Sequence, residues 1–114
     1  MKIQILISEK SWANKYKSVI KNKLKNFSRT IRFLDNHKKL KKQYDINIIF
    51  SYFKKIPKEH LSFSKYNLIP HESNLPKGKG MSPLTWQILE KKDKVFFSLI
   101  EAGIEIDGGP IYYQ

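Results

Sequence analysis

Apolar and polar residues alternate in several short runs along the chain, with stretches of helical periodicity between them. In Lys2–Ser8, Ile3, Ile5 and Ile7 share one face and Leu6 lies on the other, which predicts a central strand covered on both sides. Five further strands are predicted on the same grounds: Thr30–Leu34, Ile46–Ser51, Asn67–Glu72, Val95–Ile100 and Ile111–Tyr113. The continuously apolar Ile46–Ser51 is predicted to be a buried parallel strand.

Helical periodicity separates these strands. Apolar residues recur at three- and four-residue steps after Ser11, a suitable N-cap, and predict an amphipathic helix anchored in the core by Trp12 and Tyr16. Its apolar positions are Trp12, Tyr16, Val19, Ile20, Leu24 and Phe27. Short helices are also predicted for Ile56–Leu61 and after Ser82-Pro83. Strands that alternate with helices indicate an α/β open sheet.

The chain is short and strongly basic. Its 114 residues are enough for one small domain, and 22 basic against 10 acidic residues give a formal net charge of +12. Only Arg29 and Arg32 are arginines; the rest are lysines, which are less suited than arginine to bidentate recognition of bases and phosphates. Three interpretations of the charge stay open: solvated lysines, a surface for a phosphorylated ligand, and RNA binding.

Other composition features limit the class of protein. The chain contains no Cys, which excludes disulfides and thiolate ligands and fits a cytoplasmic location. No apolar run approaches the ~20 residues that a membrane span requires. His37 and His60 are predicted to be a solvent-facing loop residue and a surface residue, and three scattered histidines predict no metal site.

The segment His71–Pro83, HESNLPKGKGMSP, combines the densest turn chemistry of the chain with reactive side chains. A loop held between rigid elements is a common position for functional groups. Taken alone, the segment favours a His71 that caps a strand end, with Ser73 and Ser82 only closing turns.

This segment and a downstream turn resemble the amino-terminal catalytic domain of formyltetrahydrofolate-dependent formyltransferases. The shared pattern is His71, Ser73, Leu75-Pro76, the basic glycine loop Lys77–Gly80 and Ser82-Pro83, followed later by Asp107-Gly108-Gly109-Pro110. Upstream, Tyr52 and Ile56-Pro57 resemble the family's tyrosine and its following Ile-Pro loop. The amino-acid sequence of the loop is most similar to that of sugar N-formyltransferases, and methionyl-tRNA formyltransferases share the pattern.

The resemblance implies a fold, a donor and a set of site residues. The fold is α/β, a Rossmann-like open and mostly parallel sheet flanked by helices, and residues 1–114 are expected to form one formyltransferase catalytic core domain. The family ends its domain further on, so the chain is expected to be a fragment, a truncated product or a degenerate copy. The formyl donor is 10-formyltetrahydrofolate, with expected contacts at Tyr52, Ile56, Pro57, Ile104 and Ile106. The substrate loop is Ser73, Pro76, Lys77, Gly78, Lys79 and Gly80.

The implied chemistry is attack of an amine, most simply one on a nucleotide-linked amino sugar, on the formyl carbon. His71 is expected to stabilise the oxyanion or protonate the leaving nitrogen, and Asp107 to support His71 or take up the amine proton. The family's catalytic Asn stands two positions before the His, where this chain has Ile69; Asn67 is the predicted substitute and Asn74 the alternative.

Two other functions remain open. The chain could be a non-catalytic basic module that binds RNA or nucleotide-linked ligands, or an inactive partial domain that pairs with a completing partner or forms a homo-oligomer. Strong salt dependence of polynucleotide binding would favour the basic module.

Overall fold

A computed structural model describes residues 1–80, 83–91, 93–103 and 107–114, which divide into two compact units, Met1–Asn67 and Leu68–Gln114. The strands are β1 (Lys2–Leu6), β2 (Thr30–Leu34), β3 (Tyr44–Ile49), β4 (Ser64–His71), β5 (Ser98–Glu101) and β6 (Ile111–Tyr113), and the α-helices are α1 (Lys17–Leu24), α2 (Lys58–Leu61) and α3 (Pro83–Leu89). Short 3-10 helices cover Trp12–Tyr16 and His37–Lys39. All six predicted strands are present, with ends shifted by a few residues.

The amino-terminal unit is built on parallel strands. Its strand order is β2-β1-β3-β4, and β1 pairs in parallel with both β2 and β3, which confirms the prediction that Lys2–Ser8 supplies the central strand. Ile3, Ile5 and Ile7 pack with Ala13 on one face of the sheet. Leu6, on the opposite face, packs with residues that include Leu34 and Leu40.

Two buried polar pairs brace the Leu6 face of this unit. Gln4 is fully buried, and its Nε2 donates to the backbone oxygen of Lys41 and to Oγ of Ser64, each at 3.0 Å. Asn47, also fully buried, donates from Nδ2 to Oδ1 of Asn67 at 3.1 Å. Buried amides need such partners because an unpaired polar group in the core is costly.

The predicted role of Trp12 and Tyr16 as core anchors is wrong. Their exposed fractions are 55% and 49%, and the two rings meet edge-to-face on the surface. The segment opens as a 3-10 helix and becomes α-helical only at Lys17. Because the 3-10 helix repeats every three residues, the predicted face rotates, and Ala13 rather than Trp12 enters the core. Val19 and Phe27 are exposed as well, whereas Ile20 and Leu24 pack as predicted.

The carboxy-terminal unit is antiparallel. It begins with the second half of β4, and the order is β4-β5-β6 with both pairs antiparallel. The sheet is therefore mixed rather than parallel throughout. His71, the last residue of β4, pairs with Ser98, the first of β5, so the end of this ladder fixes where the following loop starts.

Helix α3 buries Pro83 and Gln87 and exposes most of its large apolar residues. Gln87 is buried, and it bonds the backbone of Glu72 and of Phe96 through Nε2 and Oε1. Trp86, Ile88 and Leu89 are each at least 60% exposed. The predicted Ser82 cap of this helix lies outside the described residues.

Among the described residues, no helix combines the length and the apolar character needed to cross a bilayer.

Candidate active site

The structure brings together the two side chains that the sequence singled out first. Nε2 of His71 lies 3.5 Å from Oδ2 of Asp107, and the two side chains are only 7% and 9% exposed. His71 stands at the end of β4, and Asp107 stands in the turn between β5 and β6. A hydrogen-bond donor and a carboxylate therefore share one dry position in the carboxy-terminal unit, where electrostatic interactions are stronger than in water.

The glycine loop supplies a backbone partner to each of these side chains. Nε2 of His71 lies 2.7 Å from the carbonyl oxygen of Gly78, and Oδ2 of Asp107 accepts from the backbone N–H of Gly80 at 2.6 Å. A carbonyl oxygen can only accept, so Nε2 carries the proton of this bond. In the neutral ring, Nδ1 of His71 is then the unprotonated nitrogen.

The backbone of this site uses the left-handed region. Gly78 and Gly80 have φ angles of +73° and +99°, which glycine adopts without strain. Asp107 has φ +55°, a conformation that aspartate tolerates better than most residues. A Cβ on Gly78 would lie 2.7 Å from Cβ of Ser73, so the loop closes tightly onto Ser73.

The predicted substrate loop has a buried start and an exposed tip. Ser73 and Leu75 are buried, whereas Pro76, Lys77, Gly78 and Lys79 are exposed. Oγ of Ser73 is a buried hydroxyl without a hydrogen-bond partner among the described residues. The two lysines therefore present their charges to solvent beside a site whose reactive groups are shielded.

The third predicted catalytic residue, Asn67, belongs to the amino-terminal unit. Its Oδ1 accepts from Asn47, and its Nδ2 donates to the carbonyl oxygen of Leu61 at 2.7 Å. These bonds give Asn67 a structural role in the packing of β3 and β4. The alternative residue, Asn74, is exposed in the loop that follows His71.

The predicted donor-binding residues that the structure describes also lie in the amino-terminal unit. Ile56 and Tyr52 pack against the cluster of Leu6, Leu34 and Leu40. Pro57 is the N-cap residue of α2. The other two predicted contacts, Ile104 and Ile106, lie outside the described residues.

His37 is not the solvent-facing loop residue that the sequence predicts. It is half-buried in a 3-10 helix, and its Nδ1 lies 2.7 Å from the hydroxyl of Tyr52, which also accepts from the His37 backbone N–H. The rings of His37 and His60 meet at a centroid distance of 5.2 Å. Burial, and then the positive charges of His60, Lys38 and Lys54, lower the pKa of His37 below 6.5.

Three polar residues that support the site were missed at the sequence level: Ser98, Gln87 and Gln114. Ser98 and Gln87 each interrupt an apolar run, VFFSLI and PLTWQIL, and a polar residue in such a run is a signal for a buried hydrogen bond. No local pattern marks Gln114, whose Nε2 donates to the carbonyl oxygen of Leu75 at 2.9 Å.

No protein-family model matches the chain. Its sequence is 40% identical over 79 residues to methionyl-tRNA formyltransferase from Buchnera aphidicola subsp. Acyrthosiphon pisum, covering 68% of this chain and 25% of that one. It is 36% identical over 69 residues to the methionyl-tRNA formyltransferase of Sulfurihydrogenibium sp., covering 60% and 22%. The chain thus spans about a quarter of the length of these curated relatives.

Solved formyltransferases share the fold. Methionyl-tRNA formyltransferase from Clostridium thermocellum is 25% identical with a TM-score of 0.75, and the match covers 99% of this chain and 52% of that one. The chain resembles formyltransferases in both sequence and fold. The predicted family resemblance and the predicted Rossmann-like α/β fold class are therefore confirmed.

Two further structures with this fold contain tetrahydrofolate. HypX from Aquifex aeolicus in complex with tetrahydrofolic acid is 25% identical with a TM-score of 0.78, over 98% of this chain and 20% of that one. The formyltransferase PseJ from Anoxybacillus kamchatkensis, solved with UDP-4,6-dideoxy-4-formamido-L-AltNAc and tetrahydrofolate, is 24% identical with a TM-score of 0.70, over 97% and 57%.

Proposed function

We propose that this chain carries the catalytic core of a formyltransferase, which moves a formyl group from 10-formyltetrahydrofolate to a primary amine. The observation that carries the proposal is the buried contact between His71 and Asp107, 3.5 Å apart. Both residues also belong to the sequence pattern that resembles formyltransferases. Two solved neighbours with folate, HypX and PseJ, support a folate donor.

The residues of the site fit this chemistry. The donor supplies a formyl carbon bound to nitrogen; transfer forms a bond from the amine nitrogen to that carbon, breaks the old C–N bond and moves one proton from the amine to the leaving nitrogen. The Nε2–H of His71 donates to the Gly78 carbonyl at 2.7 Å in this structure, and in the proposed reaction it exchanges that partner for the developing oxyanion. One such donor contributes roughly 3–4 kcal/mol. Asp107 is the carboxylate that takes up the amine proton, directly or through water.

The other proposed roles come from the family pattern rather than from contacts. Asn67 is proposed as a further oxyanion donor, and Tyr52, Ile56 and Pro57 as donor contacts. The Tyr52 hydroxyl is already engaged by His37, so Tyr52 would contact the donor through its ring. Ile104 and Ile106 are further proposed donor contacts. The cytoplasmic location predicted from the sequence stays a prediction.

The acceptor is proposed to be an amine on a phosphorylated molecule, because Lys77 and Lys79 are exposed in the loop that joins the site. A nucleotide-linked amino sugar is the first candidate, supported by the sequence of the loop and by the structural similarity to PseJ. Methionyl-tRNA is the second candidate, since the sequence relatives are methionyl-tRNA formyltransferases. A non-catalytic RNA-binding role is the remaining alternative, motivated by the net charge of +12.

One panel of assays separates these functions. The chain is incubated with 10-formyltetrahydrofolate and either UDP- or dTDP-linked amino sugars or methionyl-tRNA, and the formylated product is measured by mass spectrometry. Transfer that His71→Gln and Asp107→Asn each reduce about 100-fold or more supports the proposal and identifies the acceptor. Polynucleotide binding that weakens steeply with salt, without transfer to any acceptor, would support the RNA-binding alternative instead.

A further inference from the structure

Ser98 lies directly opposite His71 in the antiparallel ladder between β4 and β5. It is 1% exposed, and it is one of the most deeply buried polar side chains among the described residues. The chemistry proposed for the site does not explain why a serine is buried at this position. The hydrogen-bond partners of the Ser98 hydroxyl therefore indicate the role of Ser98.

The Ser98 hydroxyl uses its full hydrogen-bonding capacity on the loop and on Gln114. Oγ donates to the carbonyl oxygen of Ser73 at 2.7 Å, and it accepts from the backbone N–H of Leu75 at 3.2 Å and from Nε2 of Gln114 at 3.1 Å. One O–H and two lone pairs are all that a hydroxyl offers. Gln114 also fixes the backbone of Leu75, because its Nε2 donates to the carbonyl oxygen of Leu75 at 2.9 Å.

The segment that Ser98 holds packs against Gly78, whose carbonyl contacts His71. Ser73 packs so closely against Gly78 that a Cβ there would approach Cβ of Ser73 to 2.7 Å. The carbonyl oxygen of Gly78 is in turn 2.7 Å from Nε2 of His71. A continuous path therefore runs from the Ser98 hydroxyl through Ser73 and Gly78 to the imidazole.

We propose that Ser98 is a positioning residue that sets the tautomer of His71. Two acceptor-only groups face Nε2, the Gly78 carbonyl at 2.7 Å and Oδ2 of Asp107 at 3.5 Å. By fixing Ser73 and Leu75, Ser98 keeps the nearer of the two in place, so that the neutral ring carries its proton on Nε2 and leaves Nδ1 unprotonated. The orientation of a histidine proton is commonly set in this way by the partner of the ring nitrogen. The consequence for catalysis rests on the proposed function, whereas the tautomer itself does not.

The tautomer is measured directly by ¹⁵N NMR of the imidazole nitrogens, with the His71 signals assigned by their loss in His71→Gln. The wild-type chain is expected to show the Nε2–H form of His71, and Ser98→Ala a mixture of both tautomers. Where formyl transfer is measurable, kcat is expected to fall roughly tenfold in Ser98→Ala, with KM changed by less than about twofold.

Ser64→Ala is the matched control, because Ser64 is also buried and its hydroxyl also accepts from a glutamine, Gln4, at 3.0 Å. It is expected to lower stability comparably and to leave the His71 tautomer unchanged. Should Ser98→Ala fail to fold, Gln114→Ala is the second variant. It removes only the hydrogen bonds from Gln114 to Ser98 and to the Leu75 carbonyl, and it is expected to shift the tautomer in the same direction.

An unchanged Nε2–H signature in Ser98→Ala, or in Gln114→Ala if Ser98→Ala does not fold, overturns the proposal. An equal tautomer change in Ser64→Ala also overturns it, because the effect would then follow from general destabilisation. A chain without transferase activity that still shows the expected tautomer change would contradict the proposed function and leave the role of Ser98 standing.

Discussion

Oδ2 of Asp107 accepts from the Gly80 backbone N–H at 2.6 Å while lying 3.5 Å from Nε2 of His71. The same carboxylate oxygen thus contacts both the glycine loop and the histidine, although Asp107 lies 27 residues after Gly80 along the chain. The catalytic role and the loop-anchoring role of Asp107 can be separated, since an amide in its place keeps a hydrogen-bond acceptor and loses the negative charge.

Asp107→Asn is expected to fold normally and to lose about 10²–10⁴-fold in kcat, because the carbonyl oxygen of Asn can still accept from Gly80 but is too weakly basic to take up a proton. Formyl transfer measured at saturating substrate, together with a thermal unfolding curve, tests this. Asp93→Asn is the control, since Asp93 is exposed. Equal losses in both variants would contradict a specific role for Asp107.

Gly78→Ala is expected to destabilise the loop and reduce activity, for two separable reasons. The φ of +73° is strained for alanine, at a cost of about 1–2 kcal/mol, and the new Cβ would lie 2.7 Å from Cβ of Ser73. The free energy of unfolding from urea titration measures the total effect.

Two variants separate these reasons. Gly80→Ala meets the strain alone, because among the described residues, its chain neighbours aside, no atom lies within 4 Å of the added Cβ. Adding Ser73→Gly to Gly78→Ala removes the clash and is expected to restore part of the lost stability. Equal stability of the single and double variants would show that the close approach is not maintained in solution.

Stability is expected to fall as the pH drops below about 6.5, in part because of His37. Its pKa in the folded protein is below the ordinary 6.5, so the unfolded chain binds the proton more readily and protonation favours unfolding. The melting temperature of His37→Gln is therefore expected to depend less on pH between about pH 7.5 and 5 than that of the wild type.

Titration of the Asp35 carboxylate does not contribute to this change in melting temperature. The hydrogen bond from Lys39 lowers the pKa of Asp35 below 3.8, so its contribution to stability is present above that value and is lost only at lower pH. A pH dependence in His37→Gln identical to that of the wild type would exclude His37 as the group responsible.

Asn67→Ala is expected to lower the free energy of unfolding by about 1–3 kcal/mol, because the Asn47 side-chain amide and the Leu61 carbonyl lose their partner. Asn74→Ala, at an exposed position, is the control and should be neutral. Transfer activity per folded molecule then decides the catalytic proposal for Asn67. Full activity of the folded fraction would remove Asn67 from the catalytic set.

The sequence predicted the strands well because the alternation of apolar and polar residues lies within each strand segment itself. The central position of β1 followed from apolar residues on both of its faces, and the contact between His71 and Asp107 followed from the family pattern. The orientation of Trp12 could not be predicted, since the choice between a 3-10 and an α-helical start depends on tertiary packing. The hydrogen bond from Ser98 to the Ser73 carbonyl could not be predicted either, because the register between β4 and β5 cannot be deduced from the sequence of one strand.

The two exposed tryptophans give each compact unit its own optical reporter. Trp12, 55% exposed, lies in Met1–Asn67, and Trp86, 60% exposed, lies in Leu68–Gln114. Because the chain has two tryptophans, Trp86→Phe leaves a fluorescence signal from the first unit and Trp12→Phe one from the second. Coincident denaturation midpoints would indicate one cooperative domain, as the sequence predicts, and separate midpoints would indicate two.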